Sequence, residues 1–332
     1  MKKLFQWHYL LSISLASFIL FQSKTTHADT GAGPITCTQG SVGMLAFGMV
    51  DPLSSQISTS TTLNYECKGN SSNASARICF AFGPLESTNT YRDISGPNNS
   101  VMAFNLFSDP GLKNTITSVN PLQVTFNTGT SIETSRSITI HAQTLAKQTS
   151  LFPGPYFLQN QVFMTVNSIE GNNPPANCVA PADGDISSTY KFPYTSSASV
   201  SPHCSVTTTG SLDLGRVSAS TTSTSGSSVN LINVTCTNDT SYNIGLAPSN
   251  ANINGSGVMS GTDDTFKLPY QLQSDVSGEV WGNNGSSYNT LTNGVTGKGN
   301  GETQAHTVYA TVPNTDVKPD YYSDIVTINV HY

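Results

Sequence analysis

The sequence predicts an all-β fold of two tandem β-sandwiches. Three observations carry this prediction: a strand-favouring composition, period-2 apolar alternation, and an order of landmarks that occurs twice. The chain is rich in Ser, Thr, Asn and Gly and poor in Lys, Glu and Ala. Strands and tight turns favour the first group and helices the second. The last segment alternates, with Val326, Ile328, Val330 and Tyr332 on one face and Thr327, Asn329 and His331 on the other. That is the pattern of a strand with one buried face.

Before the first of these strands stands a leader. Met1-Lys2-Lys3 precedes an apolar stretch from Tyr9 to Phe21 and the small-residue site Thr26-His27-Ala28. A basic start, a short apolar core and a small-residue end predict a secretory signal peptide over residues 1–28. The apolar core is shorter than the roughly 20 residues a bilayer span needs. Loss of Lys2, Lys3 and Lys24 takes the net charge from −6 to −9, with the charges scattered. Such a chain has no electrostatic footprint for nucleic acid. The prediction is an exported protein, with no nucleic-acid partner and no direct membrane insertion.

The remainder repeats itself. Cys37 is followed ten residues on by Phe47-Gly48, and Cys204 ten residues on by Leu214-Gly215. The next cysteine in line is Cys67 in the first half and Cys236 in the second, each after strand-like sequence. Phe104-Asn105-Leu106-Phe107-Ser108-Asp109 matches Tyr270-Gln271-Leu272-Gln273-Ser274-Asp275. Both halves close on a long alternating strand after a Pro/Tyr-rich turn, Pro155-Tyr156 in one and Pro319-Asp320-Tyr321-Tyr322 in the other. The order predicts two domains, 29–195 and 196–332, separated by a Ser/Thr/Pro-rich stretch with a final strand near Tyr190–Tyr194. Short strands between Ser/Thr/Gly-rich loops fit immunoglobulin-like sandwiches.

Six cysteines, Cys37, Cys67, Cys79, Cys178, Cys204 and Cys236, imply disulfides in an exported protein. The repeat makes Cys37–Cys67 and Cys204–Cys236 equivalent bridges, leaving Cys79–Cys178 as an extra one in the first domain.

Signatures of catalysis are missing from the sequence: no Gly-x-Ser-x-Gly, His-Glu-x-x-His or phosphate-binding Gly-x-x-x-x-Gly-Lys-Ser/Thr occurs. Gly297-Lys298-Gly299-Asn300-Gly301 has the wrong spacing for a phosphate loop and reads as a hairpin tip. No enzyme activity, cofactor or metal is expected.

Taken together, Cys204, Leu214-Gly215, Cys236, Tyr270-x-Leu272, Asp275, Trp281-Gly282 and Tyr322-x-Asp324-x-Val326-x-Ile328-x-Val330 resemble the spore coat protein U domain. The first half resembles it more loosely, without Trp-Gly or the Tyr-x-Asp. That family includes subunits of archaic chaperone–usher pili, among them two-domain tip adhesins with an adhesive domain first and a pilin domain second. The resemblance implies immunoglobulin-like domains, the C-terminal one lacking its last strand. It also implies the partners: a periplasmic pilus chaperone, an outer-membrane usher, and an adjacent pilin subunit that donates a strand.

The ends of the chain fit that scheme. Asp29-Thr30-Gly31-Ala32-Gly33-Pro34 makes a poor donor strand, while Tyr332 stops directly on an apolar one. The expected function is a tip adhesin, exported through the periplasm to the cell surface and mediating attachment and biofilm formation. The alternative is a structural subunit or secreted coat-like protein without a binding head. The expected acceptor groove is Val326, Ile328, Val330 and Tyr332. The expected target-binding loop is Ile169, Pro174, Pro175 and Val179, pinned by Cys79–Cys178, and it would meet a surface or host target. Leu151-Phe152-Pro153 reads instead as an interdomain contact.

Overall fold

The computed structural model describes residues 33–54, 56–83, 91–128, 133–178, 186–263, 265–285 and 291–332. The expected leader and Val179 lie outside these residues. Ten strands come from the first half: β1 (Ile35–Val42), β2 (Leu45–Val50), β3 (Ser58–Gly69), β4 (Ala74–Phe82), β5 (Arg92–Ser95), β6 (Val101–Phe107), β7 (Leu122–Asn127), β8 (Glu133–Thr144), β9 (Gly154–Glu170) and β10 (Ile186–Val200). They form two layers, β1-β3-β8-β6-β5 and β7-β4-β9-β10-β2, joined by the single pair Ser95–Phe157. Alternate residues of both layers meet in one core, including Leu63, Phe104 and Ile140 from the first and Ile78, Phe80, Val162 and Met164 from the second. Rings cross between the layers, Tyr65 on Phe80 at 5.1 Å and Phe47 on Phe104 at 5.5 Å.

Eight strands follow: β11 (Cys204–Thr208), β12 (Thr224–Cys236), β13 (Ser241–Ala247), β14 (Ser256–Ser260), β15 (Lys267–Gln273), β16 (Val295–Lys298), β17 (Thr303–Val312) and β18 (Thr327–His331). Their layers are β11-β12-β17-β15-β14 and β16-β13-β18. Trp281 is buried in the second core, and its indole N–H donates to the Ile244 carbonyl at 2.8 Å.

The repeat extends to register. Cys37 pairs with Cys67 and Cys204 with Cys236. Leu106 faces Ala142 as Leu272 faces Ala310. Ile78 stands between Val124 and Val166 as Ile244 stands between Val295 and Val330. Gly48 and Gly215 share a φ of 70°, a left-handed turn that favours glycine. The phenol of Tyr156 donates to the Phe152 carbonyl at 2.9 Å, and that of Tyr322 to the Lys318 carbonyl at 2.7 Å. A tyrosine bonded to backbone just upstream of its strand is the tyrosine corner of immunoglobulin-like sandwiches.

Three features differ from the sequence expectation. The final strand of the first half runs from Ile186 to Val200, well beyond Tyr190–Tyr194, because its Ser and Ala residues pack inward beside large neighbours. Pro155 and Tyr156 lie inside β9 rather than in a turn. Gly297–Gly301 is no hairpin tip: β16 and β17 belong to different layers, so the segment crosses between them. It is tied at Gly299 N–H to the Thr240 carbonyl and at Gly301 N–H to the Cys236 carbonyl.

Candidate functional site

The two halves differ in what flanks their closing strands. In the first, β9 is flanked by β4 on one side and β10 on the other, antiparallel to both. In the second, β18 pairs with β13, and among the described residues no strand lies on its other edge. Among the described residues, no strand of the second half takes the place that β10 takes in the first.

Burial records the difference residue by residue. Val162, Met164 and Val166 on β9 are fully buried. Their register equivalents Val326, Ile328 and Val330 are only partly buried, and Tyr332 is 41% exposed. Thus the alternation visible in the sequence has no matching alternation of burial in β18, whose pattern is exposed at Thr327 and intermediate at the other four residues. The far wall shows the same contrast. Leu45, Phe47 and Val50 on β2 are buried, and β2 pairs in parallel with β10. Leu212 and Leu214 are partly buried, Val217 is 45% exposed, and 209–223 forms no strand. Val206 faces the core side, opposite buried Val234, yet is 40% exposed. Burying a Val or Leu side chain fully contributes about 1.5–3 kcal/mol, so the uncovered fraction of these seven aliphatic residues leaves roughly 3–5 kcal/mol ungained.

The groove also has polar structure. Below β18, Asp324 accepts the Tyr270 phenol at 2.6 Å. Burial, and then this bond to a carboxylate, push the Tyr270 phenol well above its usual range. At the upper end the Tyr332 ring lies 6.2 Å from His203, whose Nε2 is 3.7 Å from Asp51 of the first half. The C-terminal end of β18 therefore abuts the junction of the two halves. Asn238 Nδ2 donates to the Ser150 carbonyl at 3.3 Å at the same junction, and Gly301 packs on Thr149. Leu151 is buried in the first core beside these contacts.

Three of the four residues expected at the target-binding loop, Ile169, Pro174 and Pro175, are among the described residues. Ile169 lies on β9 opposite Ser75 and is partly buried. Pro174 is partly buried and Pro175 buried. The loop is fastened at three points: Cys178 is bonded to Cys79, the Pro175 carbonyl accepts Arg77 Nε at 2.5 Å, and the Asn177 carbonyl accepts Asn167 Nδ2 at 2.7 Å. Inward tethering is what hides its prolines. The other two disulfides are Cys37–Cys67 and Cys204–Cys236, so the pairs are those the repeat yields.

Sequence reasoning missed Val206, Leu212 and Val217 as part of this incompletely covered apolar face. Leu214 was visible only as a landmark. For Leu212, Leu214 and Val217 the spacing after Cys204 was the available signal, since Leu45, Phe47 and Val50 follow Cys37 in the same way; Val206 had no such counterpart.

The chaperone–tip adhesion subunit pre-assembly complex CsuC–CsuE of archaic Csu pili from Acinetobacter baumannii aligns over 90% of this chain and 100% of its own, at 15% identity and a TM-score of 0.47. The CupB6 tip adhesin from Pseudomonas aeruginosa aligns over 90% and 94%, at 10% identity and a TM-score of 0.38. No curated protein sequence matches the chain. The sequence pattern of the Spore Coat Protein U domain matches residues 30–157 and again residues 190–329. Matched once in each half, the chain belongs to the Spore Coat Protein U domain family.

Proposed function

We propose that this protein is the two-domain tip adhesin of a chaperone–usher pilus, with an adhesive domain that runs past the expected boundary at 195 to the end of β10 at Val200, and a pilin domain from there to 332. One observation carries the reading: the free edge of β18 lies where the first half places its own β10. The second domain accepts a strand, from a periplasmic chaperone during export and from the adjacent pilin subunit in the fibre. Main-chain bonds to β18 supply affinity, and alternate side chains entering the groove supply fit. The first domain is complete with β10, so its loops are free to bind a surface or host target. Loops 70–73 and 171–178 lie at the end of β9 opposite the Ser150–Asn238 contact, the latter fixed by Cys79–Cys178. A loop already held in shape loses less entropy on binding. The role is adhesion rather than catalysis, at the cell surface after passage through the periplasm and an outer-membrane usher.

Labelling intact fibres with an antibody to the first domain tests the reading. Signal confined to fibre ends is the expected result. Signal along the shaft would make the protein a structural subunit instead.

A further inference from the structure

The two halves differ at one place beside the open groove, and the difference bears on what can enter it. In the first half β1 carries a bulge: Thr38 pairs with Glu66 and Ser41 with Asn64, so Gln39 and Gly40 together face Tyr65. The bulge puts Gly40 under β10. A Cβ on Gly40 would lie 2.8 Å from Phe192 Cζ, so the absence of a side chain there makes room for that ring. Phe192 is 1% exposed and stands opposite Val162 of β9.

The second half has no such room. Cys236 is equivalent to Cys67, so Val234 stands where Tyr65 does, and β11 meets it without a bulge through Val206. A valine side chain thus projects where the first half has Gly40. Across the opening stands Val326, the equivalent of Val162.

Resting on the reading of β18 as an acceptor edge, we infer that the incoming strand carries a branched aliphatic residue, not an aromatic one, at the position facing Val206 and Val326. The strand runs antiparallel to β18, as β10 does to β9, with further residues facing Ile328 and Val330 at intervals of two. Val206 acts as a size filter, because an aromatic ring forced against it would meet an overpacked site. The occupant is an extended segment of another chain with a valine or isoleucine at that one position.

The test uses the full chain from Asp29 onward and two peptides. One copies Ser187–Val200, and the other is the same peptide with Phe192→Val. Trp281 becomes the sole tryptophan once Trp7 is removed with the leader, so its fluorescence follows the second core. The valine peptide is expected to bind about tenfold tighter than the phenylalanine peptide, the scale of an overpacking penalty. Val206→Gly is expected to reverse the order. Equal binding of both peptides, or a preference that Val206→Gly leaves unchanged, would overturn the size filter while the acceptor reading stands. Binding of neither peptide would overturn both.

Discussion

Replacing Ile328 with alanine separates a groove residue from a core residue. Met164 is its equivalent in the first half and is fully buried, whereas Ile328 is partly exposed. Either change removes three heavy atoms. At about 0.8 kcal/mol per buried methylene, the transfer loss is roughly 2 kcal/mol at Ile328, allowing for its exposure. Met164→Ala adds a closed cavity and costs about 3–4 kcal/mol. At Ile328 the space left behind opens on water, so no cavity term arises until a donor strand covers it. The missing 1–2 kcal/mol should then appear in binding, as a roughly 5–30-fold loss of affinity for the valine peptide. Urea unfolding gives the stability term, followed by Trp281 emission for the second core and by circular dichroism for the whole chain. Calorimetric titration gives the binding term. The reasoning is refuted if Ile328→Ala costs the free chain as much as Met164→Ala, or if it leaves peptide affinity unchanged.

Other outcomes follow from the same structure. Cys79–Cys178 spans 99 residues, so replacing both cysteines with serine should cost about 4–5 kcal/mol in the chain-entropy model, read as a drop in the urea midpoint of the first core. Asp109 and Asp275 occupy equivalent turns after β6 and β15. Backbone donation from Asn114 chiefly holds the first carboxyl below its usual range, and the Ser277 hydroxyl chiefly does so for the second. A depressed folded pKa contributes stability present above the unfolded value and lost as pH falls through the folded one. Asp275→Asn should therefore flatten the loss of stability below about pH 4. The raised Tyr270 phenol has the opposite sign: its contribution is complete below about pH 10 and declines above it. Tyr270→Phe should remove that alkaline decline and cost about 1–2 kcal/mol at neutral pH by taking a donor from Asp324, as thermal unfolding would show.

How much of this was legible in the sequence depends on whether a feature is local. The cysteine spacings, Phe47-Gly48 against Leu214-Gly215 and the alternating final strand are local signals, and each has its counterpart in paired strands and shared registers. The groove wall was not legible, because Val206 reads as an ordinary strand residue until the β1 bulge and its packing on Phe192 are seen. The extent of β10 was hidden for a related reason. Ser196 and Ala198 carry little hydrophobic signal, yet they suit the space beside Leu158 and Tyr156. The burial of the distal loop was not legible either: Pro174 is partly buried and Pro175 buried because Arg77 and Cys79 draw the loop inward, contacts far apart in sequence.

Hydrogen exchange across β18 tests the acceptor edge most directly. The account predicts that amides of Thr327–His331 facing away from β13 exchange quickly in the free chain and become protected when the valine peptide is added, while β10 stays protected throughout. Full protection of β18 without a peptide, or no change on adding it, would contradict the claim that this strand waits for a neighbour.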